Sequence, residues 1–295
     1  MQTHRKPAPA TSIDLHAQLA QAAAFVRRHA VASIYHAGSG HPGGALSSAD
    51  LLACLYGAEM NVWPASVQDP LRDRFVLSKG HAAPALSAVG SYYGFCDRKA
   101  ALSLRKLNSP FQGHPHVLDL PFVETSTGSL GQGMSVAIGM ALGLKMQKIP
   151  ARVYSLLGDG ELQEGEVWEA AMSGAHHKLD NLCAVIDYNK LQSDNSNDAI
   201  MRLEPLADKW RAFGWAVTEI DGHDIAAILE AFRRAGATSG KPAVIIAHTV
   251  KGKGVPYMEN IPLWHGSVKF TRAQADEALE ALGASADEMK ELLDV

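Results

Sequence analysis

Short apolar runs alternate along this chain with longer segments in which apolar residues recur at helical spacing. The apolar runs are partly β-branched and predict buried strands at 74–77, 152–157, 181–187, 216–220 and 243–248. The helical spacing predicts helices at 14–37, 47–60, 97–107, 131–146 and 164–177. Strands that alternate with helices favour an α/β fold, with a parallel sheet covered by helices on both faces.

Capping signals indicate where several helices begin. Asp224 is expected to cap a helix between the last two strands, and Asp97 to cap the helix that runs to about residue 107. Thr271-x-x-Gln274 and Ser285-x-x-Glu288 are capping-box patterns, and they predict two short helices near the C-terminal end.

The composition narrows the class of protein. Hydrophobic residues make up 47% of the 295 positions and charged residues 20%, which is typical of a soluble globular protein. A net charge of −4 and a pI of about 6.3 argue against binding to nucleic acid or to a membrane. Cys54, Cys96 and Cys183 are scattered and odd in number, which favours buried thiols in a reducing, cytoplasmic compartment. Residues 1–12 predict a loose polar lead-in rather than a signal peptide, and 13–295 predict one domain with no membrane span.

One βαβ unit carries the strongest chemical signal. Gly158-Asp159-Gly160 follows one predicted strand, and Asn189, thirty positions after Asp159, follows the next. Because a right-handed crossover makes these strands parallel, we expect both side chains at the carboxyl edge of the sheet, beside a helix N-terminus. The oxygens of Asp159 and Asn189, with the backbone carbonyl of Leu191, suit Mg²⁺ held against a diphosphate. The alternative for Gly-Asp-Gly alone is a strand-to-helix turn in which Asp159 acts as a cap.

This Asp-Gly…Asn pattern resembles the thiamine diphosphate fingerprint, and its surroundings are similar to the N-terminal, diphosphate-binding region of transketolase. The matching blocks lie in the family's order at 39–44 (SGHPGG), 77–82 (LSKGHA), 113–115 (GHP), 126–133 (STGSLGQG), 158–191 and 264–266 (WHG). The resemblance implies a thiamine diphosphate-binding fold, with thiamine diphosphate and Mg²⁺ as cofactors and Ca²⁺ or Mn²⁺ as substitutes for the metal. It also implies transfer of a two-carbon ketol unit from a ketose, or its phosphate, to an aldose.

Four histidines lie in glycine- or proline-rich turns, where binding sites are commonly built. A single histidine in a surface loop would carry little functional weight. The resemblance implies that His81 and His265 contact the cofactor diphosphate. It also implies that His41, His114 and His265 face the hydroxyls and carbonyl of the substrate, as the catalytic residues.

Two further groups of residues acquire roles through the resemblance. Gly128, Ser129 and Leu130 would lie against the aminopyrimidine ring of the cofactor. Glu164 and Glu169 match positions that lie near the subunit contact and link neighbouring cofactors. For Glu164 the simpler alternative is a negative charge in the first turn of a helix, which the helix dipole favours.

The resemblance also implies a partner. In transketolase the glutamate that activates the cofactor belongs to the next domain, and this sequence ends at Val295, where that domain should begin. We therefore expect the N-terminal subunit of a split transketolase. It would be active only with a separate C-terminal subunit that carries the glutamate, in an assembly of two copies of each.

Three other interpretations compete with this one. Residues 38–43 (GSGHPG) match the G-x-G-x-x-G pattern of dinucleotide sites, but a predicted helix precedes them where such a site needs a strand. Another thiamine diphosphate enzyme, such as a deoxyxylulose-phosphate synthase or a 2-oxo acid dehydrogenase α chain, stays open, although the SGHPG and WHG blocks favour transketolase. A non-catalytic role in assembly stays open too, although Asp159, Asn189 and the four turn histidines are all present.

Overall fold

The computed structural model describes residues 12–294. The predicted lead-in at 1–12 lies outside the described residues except for Ser12, where the first helix already begins. The core is one parallel sheet of β1 (Arg74–Leu77), β2 (Val153–Gly158), β3 (Leu182–Tyr188), β4 (Ala216–Asp221) and β5 (Ala243–His248). The strand order is β1-β2-β3-β5-β4, and every neighbouring pair is parallel. The predicted α/β fold is confirmed, and the five predicted strands agree with the observed ones to within one residue at each end.

Helices cover both faces of this sheet. The helices of the described residues are α1 (Ser12–Ala37), α2 (Pro42–Ser47), α3 (Ala49–Cys54), α4 (Ala83–Tyr92), α5 (Gln132–Met146), α6 (Gly165–His176), α7 (Asn197–Ile200), α8 (Leu206–Ala212), α9 (Ile225–Ala237), α10 (Arg272–Ala281) and α11 (Ala286–Leu293), of which α10 and α11 pack on α1 instead of on the sheet. None of the helices in this described part of the chain combines the length and hydrophobicity needed to cross a bilayer.

The sheet separates two hydrophobic layers, because successive residues of a strand point to opposite faces. Tyr154 and Leu156 of β2 join the layer formed with α1, α3, α4 and α9. Val153 and Leu157 of the same strand join the layer formed with α5, α6 and α8. A third cluster packs α10 and α11 against α1, with Trp264 at its edge. These layers fix the strand ends from which the site is built.

Two of the predicted caps form as expected, and a third forms in part. The Asp224 carboxylate accepts hydrogen bonds from the backbone N–H groups of the first turn of α9. Thr271 and Gln274 form a full capping box at α10. The Ser285 hydroxyl accepts from the Glu288 N–H at α11, without the reciprocal bond of a full box.

Two predicted helices differ from the structure. The segment predicted as one helix at 47–60 begins at the last residue of α2 and continues as α3 and a π turn at Leu55–Glu59. The helix predicted from Asp97 to about residue 107 is reduced to a single 3₁₀ turn at Ala100–Leu102, although Asp97 does accept a bond from the Ala100 N–H. Arg105 then adopts a positive φ of 59°, which ends helical geometry and turns the chain into a loop beside the site.

Candidate active site

The residues predicted to hold a metal meet at the carboxyl ends of β2 and β3. Asp159 follows β2 and Asn189 follows β3, and these strands are paired in parallel up to Gly158 and Asp187. Both side chains line a cavity of about 170 Å³. Gly44, Gly158 and Gly160 also line it, so its walls are backbone where a side chain would occupy the space.

Asp159 is buried and fixed by the backbone on both sides. Its Oδ1 accepts a hydrogen bond of 2.8 Å from the Gly160 N–H, and its Oδ2 accepts one from the Lys190 N–H. The second bond ties the end of β2 to the turn that contains Asn189. Burial, followed by the nearby charge of Asp187, raises the pKa of Asp159 to about 7. A cation in the cavity would therefore be favourable, because it would stabilise this carboxylate in its ionised form.

Asn189 is oriented by Asp187, a residue that the sequence analysis did not single out. The Asn189 Nδ2 donates to Asp187 Oδ2 at 3.2 Å, and its Oδ1 accepts from the Leu191 N–H at 3.2 Å. The buried Asp187 carboxylate also accepts from Ser47, at 2.6 Å, and from Lys79 and Thr249. An aspartate that ends an otherwise apolar strand was the available signal, because a buried carboxylate needs several donors.

Lys251 is the second functional residue that the sequence analysis missed. Its Nζ, on a side chain that is nearly fully buried, donates to the Leu191 carbonyl at 2.7 Å and lies 2.7 Å from His265 Nδ1. Burial lowers the pKa of Lys251 to about 8, although the charges of Asp159 and Asp187 oppose that shift. A lysine shortly after a buried strand, followed directly by Gly252, was the sequence signal for a cation at this edge of the sheet.

Three of the predicted histidines form a cluster over the cavity. The ring centroids of His41, His81 and His265 are 5.2 to 5.8 Å apart. Burial, followed by neighbouring positive charges, lowers the pKa of His41 to about 4 and that of His265 to about 3, and also lowers the pKa of His81. These rings are therefore neutral at physiological pH.

His114 lies at the more open side of this cluster, and burial followed by the charge of Arg105 lowers its pKa too. Its ring packs against Gly128, where an added Cβ would lie 3.1 Å from the imidazole. The Gly128 φ of 154° is a second reason for glycine at this position. The Nδ1 of His41 is buried, and no partner for it is present in residues 12–294. One polar atom of the histidine cluster is therefore left without a hydrogen-bond partner among these residues.

Glu161 is a further buried residue that sequence reasoning missed. Its Oε1 accepts from Ser78 Oγ and from the Gly131 N–H at 3.0 Å, and its Oε2 accepts from the Gly158 N–H at 3.0 Å. Burial raises the pKa of Glu161 in spite of these bonds. The residue ties the ends of β1 and β2 to the turn at 128–133.

The other predicted positions occupy different parts of the site. Leu130 and Glu164 line the cavity, and Ser129 is exposed outside it. Glu164 and Glu169 are both exposed. Glu164 is the N-cap residue of α6 and forms no side-chain capping bond, so its charge lies at the positive end of the helix dipole and the simpler alternative stays open.

The donor set suits a hard cation and a diphosphate better than a metal held by protein alone. Among residues 12–294 no group of three or more His, Cys, Asp or Glu side chains is arranged to hold a metal ion. One carboxylate, one amide oxygen and the cationic Lys251 leave room for oxygens from a ligand. A small polar cavity at the carboxyl ends of parallel strands is typical of α/β domains that bind phosphate-containing ligands, and this chain has that architecture.

Comparison with known proteins identifies the family within that class. The chain belongs to the family described as transketolase, thiamine diphosphate binding domain, whose model matches residues 18–290. An apulose-4-phosphate transketolase subunit from Phocaeicola vulgatus is 42% identical over 264 residues, which cover 90% of this chain and 93% of that protein. The 6-deoxy-6-sulfo-D-fructose transketolase subunit SqwG of a Clostridium species is 43% identical over 234 residues, covering 79% and 85%.

Solved transketolases share the fold. The structure of transketolase from Campylobacter jejuni superposes on this chain with a TM-score of 0.80 at 32% identity. The superposed region covers 94% of this chain and 47% of the Campylobacter chain. The present chain thus corresponds to somewhat less than half of that enzyme. The resemblance drawn from the sequence blocks is confirmed at the level of family and fold.

Proposed function

We propose that this chain is the diphosphate-binding subunit of a transketolase, and that it transfers a two-carbon ketol unit together with a separate partner subunit. One observation carries the proposal: Asp159 and Asn189 converge on one polar cavity at adjacent strand ends, in a chain of the transketolase family. The names of the two subunit relatives agree with this function. Both names also specify a substrate with an acidic group, a phosphate or a sulfo group, so we include an anionic ketose in the proposal.

The metal in this proposal is Mg²⁺, held by the Asp159 carboxylate, Asn189 Oδ1 and the Leu191 carbonyl. Ca²⁺ or Mn²⁺ would substitute, since all three ligands are oxygens. The Leu191 carbonyl accepts a hydrogen bond from the Lys251 ammonium. To bind the metal through this carbonyl, the site would have Lys251 turn towards another acceptor. The diphosphate is such an acceptor, because a lysine ammonium binds phosphate oxygens as a point charge.

His81 and His265 complete the diphosphate site in this proposal, and Gly128, Ser129 and Leu130 line the path of the aminopyrimidine. The neutral rings of His81 and His265 each present one N–H and one bare nitrogen, so they donate hydrogen bonds without adding charge. When bound, the cofactor supplies the carbon nucleophile that carries the two-carbon unit. The protein's part is to orient it, exclude water and place polar groups around the substrate.

His41 and His114 are the substrate-facing residues in this proposal. The half-buried His41 ring lies against those of His81 and His265 at the cavity, where a neutral imidazole can exchange hydrogen bonds with a substrate hydroxyl. His114 lies on the more open side of the cluster, where its N–H can donate to the carbonyl oxygen as that oxygen gains negative charge, and its bare nitrogen can accept a proton from a substrate hydroxyl. Neutral imidazoles suit both tasks at physiological pH.

The partner subunit would supply the glutamate that activates the cofactor, in an assembly with two copies of each chain. Support comes from the relatives named as subunits and from the surface near the cavity. Glu164 is exposed at the cavity, and Ser129 and Glu169 are exposed beyond it. The apolar side chains of Val136 and Met172 are 37% and 55% exposed on α5 and α6. Exposed apolar side chains on these two neighbouring helices suit burial against another subunit.

The proposal is tested by a ketol-transfer assay with an anionic ketose donor and an aldose acceptor. We expect no turnover from this chain alone, and turnover that depends on thiamine diphosphate and Mg²⁺ once the partner is added. Asp159→Ala in the same assembly is the control, and it should abolish turnover if the metal and diphosphate bind to this chain. Full turnover by the chain alone would refute the split enzyme. Binding to the partner without any transfer would favour a non-catalytic role in assembly.

A further inference from the structure

A chain of buried polar contacts leads from the first helix to the turn that carries Lys251. Arg27 of α1 donates to both carboxylate oxygens of Asp50 on α3. His223, in the turn between β4 and α9, lies with Nδ1 2.7 Å from Asp50 Oδ2. The backbone N–H of Val250 donates to His223 Nε2 at 2.9 Å. The contacts thus end on the residue that immediately precedes Lys251.

The direction of these hydrogen bonds determines the state of the His223 ring. Because Nε2 accepts from the Val250 N–H, it carries no proton, and the proton lies on Nδ1, which donates to Asp50. Burial alone would raise the pKa of Asp50, but the bond from His223 and the charge of Arg27 outweigh burial and hold that pKa below its usual value. Asp50 is therefore an ionised group that orients the ring, much as carboxylates orient the histidines that bind metals.

The backbone at this point allows the two turns to approach closely. A Cβ on Gly222 would lie 2.4 Å from the Thr249 side chain, so only glycine lets the turn that carries His223 reach the segment 249–252. That segment supplies two groups to the site. Thr249 donates to Asp187, and Lys251 donates to the Leu191 carbonyl.

We infer that His223 is a positioning residue, which holds the segment 249–252 through the Val250 N–H and thereby places Lys251 in the cavity. His223 does not line the small cavity itself, and the sequence analysis assigned it no role. The inference deepens the proposed function and rests on it only for what Lys251 binds. The placement of Lys251 can be measured without any cofactor.

Two substitutions separate the two ends of the ring. His223→Asn keeps an amide N–H close to the position of Nδ1, so it retains the bond to Asp50 but has no acceptor for Val250. His223→Gln puts its carbonyl oxygen close to the position of Nε2, so it restores that acceptor. A residue with only a packing role would not be rescued by glutamine over asparagine, because both are smaller than histidine and uncharged.

The experiment is reductive methylation of the full chain without cofactor, with lysine modification read by peptide mass spectrometry. Lys253, whose side chain is 38% exposed on the same turn, is the internal reference. For His223→Asn we expect the Lys251-to-Lys253 ratio of rates to rise roughly fivefold, the change expected for loss of one hydrogen bond. Hydrogen exchange of the segment 249–252 should rise with it, and His223→Gln should return both towards wild type.

Three results would overturn the inference: an unchanged ratio in His223→Asn, equal ratios in the two variants, or a rise in exchange spread evenly over the sheet. The consequence for binding is measured separately, by calorimetric titration of the assembled enzyme with thiamine diphosphate and Mg²⁺. There we expect weaker binding in His223→Asn and recovery in His223→Gln. If the wild-type assembly bound no cofactor, the proposed function would fail, whereas the methylation ratio would still decide the placement of Lys251.

Discussion

The buried pair formed by Lys79 and Asp187 offers a direct test of how the site is held together. Their side chains are 1% and 0% exposed. The Lys79 ammonium also donates to the Gly44 carbonyl at 3.0 Å. We expect Lys79→Met, which keeps the length of the side chain and removes its charge, to destabilise the chain strongly.

The magnitude follows from what the substitution leaves behind. Removing one partner of a buried ion pair typically costs about 3–5 kcal/mol, because the remaining charge is uncompensated. Asp187 would still accept from Ser47, Thr249 and Asn189, so the lower end, ~3 kcal/mol, is expected. Combining Lys79→Met with Asp187→Asn removes both charges, so the double variant should be more stable than Lys79→Met alone. The double-mutant cycle of wild type, the two single variants and the double variant should give a coupling energy of ~2 kcal/mol between Lys79 and Asp187.

The assay is urea unfolding of the purified chain at pH 7.5, followed by tryptophan fluorescence, with the surface variant Lys253→Met as control. Burial would raise the pKa of Asp187, but the charge and hydrogen bonds of Lys79 outweigh it, so the pKa lies below its usual value of 3.8. The contribution of Asp187 is therefore fully present at pH 7.5 and is lost only as the pH falls below about 3.8. A loss under ~1 kcal/mol for Lys79→Met, or additive single and double variants, would refute this argument.

Three other predictions follow from the same structure. Asp159→Asn, which removes the only carboxylate proposed for the metal, should weaken Mg²⁺-dependent binding of thiamine diphosphate by ~100-fold or more in calorimetric titration of the assembly; unchanged affinity would disprove the metal assignment. His114→Ala should leave that affinity near normal but lower kcat/KM by about 10²–10⁴-fold; intact steady-state kinetics in His114→Ala and His41→Ala would contradict a substrate role for either residue. Burial lowers the pKa of His29 from 6.5 to about 4, so between these values the unfolded chain binds a proton that the folded chain does not. The free energy of unfolding therefore decreases as the pH is lowered from 6.5 to 4, by up to ~3 kcal/mol. Denaturant unfolding of His29→Gln between pH 7 and pH 4 should show a flatter dependence than wild type, with the exposed His16→Gln as control, and parallel curves for all three proteins would be the contrary result.

Local patterns were sufficient for the strands and for most helices. β1 and β5 occupy the predicted residues because short apolar runs with β-branched residues bury well in a parallel sheet. The caps at Asp224 and Thr271 also depend on contacts within a few residues. The helix predicted after Asp97 is wrong beyond its first turn. The local pattern is typical of a helix, but the chain turns into a loop at Arg105, whose φ is positive.

The sequence by itself determined the α/β fold and the position of Asp159 and Asn189 after adjacent parallel strands. It did so because both follow from the period of the apolar pattern and from the crossover rule. Only the tertiary structure decided that Asp187, Lys251, Glu161 and His223 serve that site. A local pattern can mark a buried charge, as it does for Asp187 and Lys251, but it does not name partners that lie far along the chain, as Leu191 does from Lys251. A buried charge needs hydrogen-bond donors or acceptors. Packing of the core decides which distant segments supply them.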